Sequence, residues 1–405
     1  MDGSRVLIVA LLLCLTPIGG AVAASDTVAG PFQTDETPDR SMTVVADGNT
    51  SEYLAPPPEA IDRTGTRTAG IDVAGAIEAD SGQLRSVYLH ETLREQYRSA
   101  DTDTERRAVV ERGVERFSDR TETLEAKQRE AIRQFNDGSM SERELLRTLA
   151  TVHREAEATM AALGWLETIA DDIGMAEAAD RAATERVRLV PMVGPVRERL
   201  SNTFEGGPES RIYVETAGGG VVLATVGPIG DTYLREAYDP TAKRTDVPDR
   251  YGGDPSPALE RFTELYPWTI QSFDAIDAIG PAQVRLYRFR ANHPHGELET
   301  YLDSGSTDIL YETQRNDLAA IPTETATRTA GELRLLVNVT RPGGPLGVSV
   351  VDATTGDPVD ATVEINGEPI GSTDGEQLWT VAPRGAATVN ATHGGEAVTF
   401  ETRFD

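Results

Sequence analysis

The sequence predicts a multi-domain protein: an N-terminal α-helical hairpin or bundle, a central α+β domain with an antiparallel sheet, and a C-terminal immunoglobulin-like β-sandwich. Three observations support this. Apolar residues recur at helical spacing within 82–200, they alternate from residue 212, and residues 332–405 consist of short β-branched runs separated by turns. A chain of 405 residues has room for about two to four domains.

Changes in composition place the domain boundaries. Residues after the N-terminal apolar segment are rich in Thr, Asp, Gly and Pro, which is typical of an extended linker. The predicted segments are a signal peptide at 1–24, a disordered linker at 25–81, a helical bundle with a coiled-coil-like hairpin at 82–200, an α+β domain at 208–320, a linker at 321–331 and an Ig-like sandwich at 332–405.

The charge balance indicates a high-salt environment. There are 38 basic and 66 acidic residues, a net charge of −28, and the only lysines are Lys127 and Lys243. Concentrated salt screens the self-repulsion of such a surface. A GC-rich genome would also favour arginine over lysine, but it would not account for the acidic surplus. An acidic surface argues against nucleic-acid binding, which requires a basic face.

The N-terminus has the pattern of an export signal. One arginine precedes the apolar run Val6–Leu15, and small residues follow up to Ala23 and Ala24, where cleavage is expected. An uncleaved N-terminal anchor is the alternative, and it would be the only membrane attachment. The single cysteine, Cys14, lies in this segment, so the mature chain is predicted to lack disulfides and thiol chemistry.

Three N-x-S/T triplets, at Asn49, Asn338 and Asn390, are candidate glycosylation sites in an exported chain.

Two heptad seams predict an antiparallel helical hairpin. They are separated by the helix stop Asn136-Asp137-Gly138, and Ser141 with Glu144 forms a capping box that restarts the helix. The seams serve either packing inside the bundle or binding of a partner. Further helices are expected at 84–99 and 175–190. The helical pattern is expected to break at Pro191 and Pro195. The seam residues are Val110, Val114, Phe117, Thr121, Leu124, Gln128, Ala131 and Phe135, and then Leu145, Leu149, Val152, Ala156, Met160, Leu163, Leu166, Ala170 and Ile173.

Alternating residues after the bundle predict a small antiparallel sheet with helices on one face. Ser256-Pro257 begins a helix, and 270–279 is expected to be another short helix. Later strands are expected at 283–290, 297–303 and 308–314, the last two joined by a turn at Ser304–Thr307. Ile309, Tyr311 and Thr313 are expected to share one face of the return strand.

The C-terminal region resembles carboxypeptidase-regulatory-like and related bacterial Ig-like domains. The resemblance rests on a strand ending in Asp352, the turn Thr355-Gly356-x-Pro358-Val359, and the hairpin Val363-x-Ile365-Asn366-Gly367, whose Asn-Gly pair predicts a type I′ turn. It implies a spacer or adhesive module without catalytic residues.

The middle region resembles the PepSY fold at Tyr301-Leu302-Asp303 and Thr307–Leu310. That resemblance implies a regulator or inhibitor of a co-secreted protease. The whole layout is similar to that of secreted haloarchaeal proteins, a resemblance that implies no activity.

The histidine pair in "HPHGELE" is the one candidate metal site. On an extended strand His293, His295, Glu297 and Glu299 would share a face, with ligand types suited to zinc. The alternative is the polar face of an edge strand. The only basic–aromatic stretch, Arg285 to Arg290, is interpreted as strand residues paired with neighbouring acids.

The sequence contains neither a G-x-S-x-G elbow nor a phosphate-binding loop. We therefore expect an exported, halophilic cell-surface binding or scaffolding protein with no catalytic residues and no cofactor. A protein or surface-layer partner is expected, and no nucleic acid. The alternatives are the PepSY-like protease regulator and a metal-dependent enzyme with its site at 293–299.

Overall fold

The computed structural model describes residues 41–46, 52–227, 232–244, 247–269, 273–279 and 286–405. The helices are α1 (Val73–Arg98), α2 (Asp103–Asn136), α3 (Glu142–Asp172), α4 (Ala176–Leu189), α5 (Pro195–Phe204) and α6 (Pro255–Leu265). The first ten strands are β1 (Thr43–Val45), β2 (Tyr53–Ala55), β3 (Arg63–Ala69), β4 (Ser210–Ala217), β5 (Gly220–Val226), β6 (Thr232–Tyr238), β7 (Phe273–Ile279), β8 (Leu286–His293), β9 (Gly296–Asp303) and β10 (Ile309–Asp317). The remaining strands are β11 (Glu324–Ala330), β12 (Leu333–Val339), β13 (Pro345–Asp352), β14 (Thr362–Ile365), β15 (Glu368–Ser372), β16 (Leu378–Val381), β17 (Gly385–His393) and β18 (Glu396–Phe404).

Helices α2 and α3 form the predicted hairpin, and their heptad seams pack inside the bundle. Capping boxes start both helices, at Thr102 and, as predicted, at Ser141. The structure differs from the prediction at both ends of the bundle. Helix α1 begins at Val73 inside the predicted linker, and Pro195 starts α5 because proline suits the first helical turn, where no backbone donor is needed.

An eight-stranded antiparallel sheet, in the order β3-β4-β5-β6-β10-β9-β8-β7, forms the centre of the molecule. Strand β3 lies in the predicted linker, yet all seven of its residues pair with β4. Its Thr- and Arg-rich sequence suits a sheet edge, where one side of the strand stays exposed. The five helices α1–α5 are therefore inserted between two neighbouring strands.

The prediction of a short helix over 270–279 is wrong, since residues 273–279 form strand β7. This strand pairs with β8 at the far edge of the sheet. Periodicity alone does not distinguish a short apolar strand from a short helix, and pairing with a neighbouring strand decided the outcome here.

Coverage of the sheet changes from one end to the other. We call strands β3–β6 the bundle half and strands β7–β10 the open half. On the bundle half, Val214, Leu223 and Leu234 pack against α2, α3 and α5, and we call this side of the sheet the bundle face. On the opposite side, the far face, α6 covers the open half. The α+β domain's own helix α6 thus lies on one face, as predicted, and the bundle, which the sequence predicted as a separate domain, covers part of the other.

The C-terminal domain is a sandwich of two four-stranded sheets, β11-β12-β13-β16 and β15-β14-β17-β18. The predicted type I′ turn is present, with positive φ at Asn366 and Gly367. Residues 324–330 were predicted as part of a linker. They form strand β11 instead, because they pair along their whole length with β12.

The sandwich docks directly on the far face of the bundle half. Tyr233 Oη donates a hydrogen bond to the carbonyl of Gly343 over 2.8 Å, and Arg384 Nε lies 2.8 Å from Glu215 Oε2. Tyr213 and Val381 belong to one shared apolar cluster. These contacts fix the sandwich to the sheet instead of leaving it on a flexible tether.

Two buried ion pairs lie at layer boundaries. Arg197 of α5 contacts Glu236 of β6 over 2.9 Å, with side-chain exposures of 1% and 2%. On the far face Arg235 contacts Glu312 over 2.8 Å, and Glu312 also accepts from Tyr266 Oη over 2.7 Å. Pairing is what makes such deep burial of charge tolerable.

Candidate functional site

Part of the bundle face of the open half, around Arg290, Asn292, Glu297 and Arg315, is exposed among the described residues, and it meets the side of the helical bundle in a cleft. The two adjoining cavities of this cleft have volumes of about 350 and 270 Å³ and share Glu299, Thr313 and Arg315. We call this region the open-face cleft. Its sheet wall comprises Arg290, Asn292, Glu297, Glu299, Tyr301, Tyr311, Thr313 and Arg315, and its helical wall His153, Glu157, Met160, Val190, Val193, Gly194, Pro195 and Glu198.

Strand register aligns opposite charges across the sheet wall. Arg290 lies directly across from Glu299, and Arg315 lies directly across from Glu297. Cross-strand neighbours of opposite charge stabilise each other modestly. The result is a polar surface in which guanidinium and carboxylate groups alternate.

Two tyrosines form the inner end of the cleft. Tyr311 Oη donates to the carbonyl of Val193 over 2.9 Å, and Tyr301 Oη donates to Glu299 Oε1. Burial raises the pKa of both phenols, and the Glu299 carboxylate raises that of Tyr301 further. Both phenols are therefore neutral, and each hydroxyl proton is already engaged.

His153 lies buried beside the tyrosines, with its Nε2 3.5 Å from Glu157 Oε2. Burial, with smaller contributions from the charges of Arg197 and Arg154, lowers the pKa of His153 to about 3. The imidazole is neutral at ordinary pH, so it acts as a hydrogen-bonding group and not as a cation.

The buried Arg197–Glu236 pair supports the cleft from behind. Glu236 Oε2 accepts from the backbone N–H of Val196 over 3.2 Å, which fixes the start of α5. A Cβ atom on Gly194 would overlap Glu236 and the Tyr311 hydroxyl, so only glycine permits this close approach. The arrangement is that of a rigid polar surface suited to binding.

The structure separates the predicted metal ligands. The chain turns at Pro294–His295 between β8 and β9, so residues 293–299 do not form one extended strand. His293 and His295 are buried, whereas Glu297 is exposed and aligned with Asn292 on the bundle face. Among the described residues, no group of three His, Cys, Asp or Glu is placed to hold a metal ion.

The histidines instead pack under the far-face cover. The His295 ring stacks on Trp268 with a centroid separation of 4.8 Å, and its Nδ1 lies 2.6 Å from the carbonyl of Ala320. His293 accepts the backbone N–H of His295 over 3.3 Å. Burial lowers the pKa of His293 to about 4. Their observed contacts are structural.

Two of the three predicted glycosylation sites lie on strands of the sandwich. Asn338 on β12 accepts a hydrogen bond from Thr325, and Asn390 on β17 accepts one from Thr399, in each case from the residue directly opposite. Both side chains are half-buried. Asn49 lies outside the described residues.

Sequence reasoning missed most of the cleft. Its visible signals were the basic–aromatic stretch and the acids Glu297 and Glu299 of the candidate metal site. The interpretation as strand residues holds for Arg288 and Arg290; Arg285 lies outside the described residues. The prediction that Ile309, Tyr311 and Thr313 share one face of a strand is wrong for Ile309. A register shift between Ile309 and Tyr311 places Ile309 in the far-face core and leaves Tyr311 in the cleft.

Three family models match the chain. A domain of unknown function, DUF7096, matches residues 1–209; a family of unknown function, DUF7094, matches residues 212–322; and an archaeal fibronectin-III type-like domain matches residues 324–400. These matches fit an archaeal protein with a C-terminal Ig-like domain, and they give the PepSY resemblance no support. Neither the curated proteins nor the solved structures yielded a match. No helix in the described part of the chain has both the length and the apolar character needed to cross a membrane.

Proposed function

The chain belongs to the DUF7096 family, and we propose that it is an exported surface protein that binds or scaffolds a protein partner without catalysis. The observation that carries this is the open-face cleft, where part of the sheet stays exposed in the described chain although the helical bundle, α6 and the sandwich cover much of the rest. The archaeal fibronectin-III-like match is compatible with a surface binding or scaffolding role.

The chemistry of the cleft favours a polar protein surface as the partner. Arg290 and Arg315 are exposed and flank the half-buried Glu299, so the wall offers both donors and acceptors. The neutral tyrosines behind them are buried and support this wall from inside. Because the sandwich is fixed to the far face, the cleft keeps one orientation relative to the C-terminal domain.

Binding is tested with immobilised full-length protein and solubilised archaeal surface-layer protein in concentrated salt. The double variant Arg290→Glu/Arg315→Glu should weaken binding about tenfold or more. The matched control Arg67→Glu/Arg112→Glu makes the same charge change at exposed positions away from the cleft and should bind like the wild type.

Equal binding by both double variants would contradict the role of the cleft. Cleavage or chemical modification of the partner during the same incubation, read by intact-mass spectrometry, would contradict the non-catalytic part of the proposal.

Export is a separate part of the proposal and is supported by the pattern at residues 1–24. Mass spectrometry of the mature protein from an archaeal host should find an N-terminus near Ser25. An intact N-terminus on membrane-bound protein would favour the uncleaved anchor, and an intact chain in the cytoplasm would contradict export.

A further inference from the structure

Helix α1 presents an apolar stripe to solvent. Among the described residues, six of the seven large apolar side chains that are substantially exposed lie on α1 or just before it. Four of them, Val73, Ile77, Leu84 and Tyr88, are 61% to 75% exposed and share one helix face over about 22 Å. Asp80, which lies 3.9 Å from Arg154, and Ser81 separate the two apolar pairs at the middle of the stripe. Exposed apolar surface of this extent marks an interaction site.

Over the length of the stripe, the opposite face of α1, which packs on α3, is made of small residues; the large buried residue Leu93 lies beyond it. Gly75, Ala79, Gly82 and Ser86 are buried there, and a Cβ on Gly82 would lie 2.7 Å from Glu155 Oε2. Ser86 Oγ lies 3.3 Å from Thr159 Oγ1. The helix therefore directs its small side inward and its large apolar side outward, the reverse of an ordinary surface helix.

The stripe has two-fold symmetry in its positions. The midpoint of the stripe lies between Asp80 and Ser81. Val73 and Tyr88 lie at equal distances on either side of it, and so do Ile77 and Leu84. If two copies of α1 pair antiparallel about that midpoint, Ile77 faces Leu84 of the second copy and Val73 faces its Tyr88. An isologous dimer requires this kind of self-complementary surface.

Charges beside the stripe are also self-complementary. Glu78, which also pairs with Lys127 of α2 over 3.0 Å, lies on the same flank as Arg85, and antiparallel pairing brings Glu78 within about one helical turn of Arg85 of the second copy. Beyond Tyr88 the same face becomes polar, with Glu91 and Glu95, so the apolar contact ends where the symmetry ends. An acidic surface of this strength disfavours an anionic lipid surface as the occupant.

We propose that a second copy of this chain covers the stripe, and that the protein is an antiparallel α1–α1 dimer in concentrated salt. This goes beyond the proposed function and does not depend on the cleft. Concentrated salt screens the repulsion between two chains of net charge −28, so dilution of the salt should weaken the dimer.

Sedimentation equilibrium of the full chain in about 2 M salt should give a dimer. The variant Ile77→Glu/Leu84→Glu should raise the dissociation constant about a hundredfold or more, because each substitution enters the interface twice. The control Ala108→Glu/Ala161→Glu adds two acids at exposed positions of α2 and α3 and should remain dimeric. Leu84→Ala, which leaves folding intact, should weaken the dimer about tenfold.

The pairing geometry is tested by crosslinking in a Cys14→Ser background. Ser81→Cys lies at the predicted axis and should crosslink with a short bismaleimide, whereas Ser99→Cys should not. A monomer at every concentration in high salt, a dimer unaffected by the Ile77→Glu/Leu84→Glu change, or crosslinking at position 99 alone would each overturn the proposal. Flotation of monomeric protein with phosphatidylcholine vesicles would overturn it in favour of a lipid surface.

Discussion

The two halves of the central sheet use the same alternation of side chains but differ in what covers them. In the bundle half, Leu223 faces the helices and Tyr213 faces the sandwich, so both faces are buried. In the open half, Phe289 stacks on Phe262 of α6 with a centroid separation of 4.5 Å, while Arg290 next to it is exposed. One half is a structural junction, and the other leaves part of one face exposed, which is the surface proposed to bind a partner.

The buried ion pair behind the cleft gives the largest expected effect. Glu236→Leu leaves the Arg197 guanidinium buried without its carboxylate and should lower the free energy of unfolding by about 3–5 kcal/mol, measured by denaturant titration in high salt. The double variant Arg197→Met/Glu236→Leu should recover most of that loss. A double variant as unstable as the single one would show that the pair itself, and not the unpaired charge, supplies the stability.

Matched cavities test whether the two halves unfold together. Leu223→Ala and Leu302→Ala each empty a fully buried site and should each lower the free energy of unfolding by about 3 kcal/mol. The three tryptophans report separately on the bundle (Trp165), the open half (Trp268) and the sandwich (Trp379). In single-tryptophan variants all three should report one transition; an earlier transition at Trp268 alone would show that the open half is an independent unit.

Acidification should weaken the molecule through its buried histidines. The folded pKa values of about 3 for His153 and about 4 for His293 lie below the ordinary value of 6.5, so the unfolded chain takes up protons first as the pH falls. Stability is complete above about pH 6.5 and is lost toward pH 4. Between about pH 7 and pH 5, protonation of His153 in the unfolded chain should lower the free energy of unfolding by about 2 kcal/mol. His153→Gln should abolish that part of the pH dependence. An unchanged pH profile would mean that His153 is not buried as a neutral group.

Substitutions in the sheet wall of the open-face cleft should have the smallest effect on the free energy of unfolding. Arg290→Ala and Thr313→Val should change the free energy of unfolding by less than about 1 kcal/mol, because neither side chain is fully buried and the cross-strand pair of Arg290 with Glu299 is a modest contribution. A loss above 2 kcal/mol from either variant in thermal denaturation would mean that the open face is a structural surface like its counterpart in the bundle half.

Local patterns predicted the elements that local chemistry determines. The heptads of α2 and α3, the Ser141 capping box and the Asn366-Gly367 turn all depend on residues close in sequence. Strands β3, β7 and β11 were missed because each is an edge strand formed by pairing with a neighbour. The cleft was missed because it also depends on contacts between residues far apart in sequence. His153 and Thr313 meet only after the sheet and the bundle have packed.

Strand β3 has a consequence for the order of folding. Arg63 pairs with Thr216, so the whole helical bundle lies between two strands that share hydrogen bonds. Closing a disordered loop of that length is slow and entropically costly. A folded bundle brings its two ends together and removes most of that cost. The β3–β4 ladder should therefore form late, after the helices, and it should be the first part of the sheet to exchange its amide hydrogens.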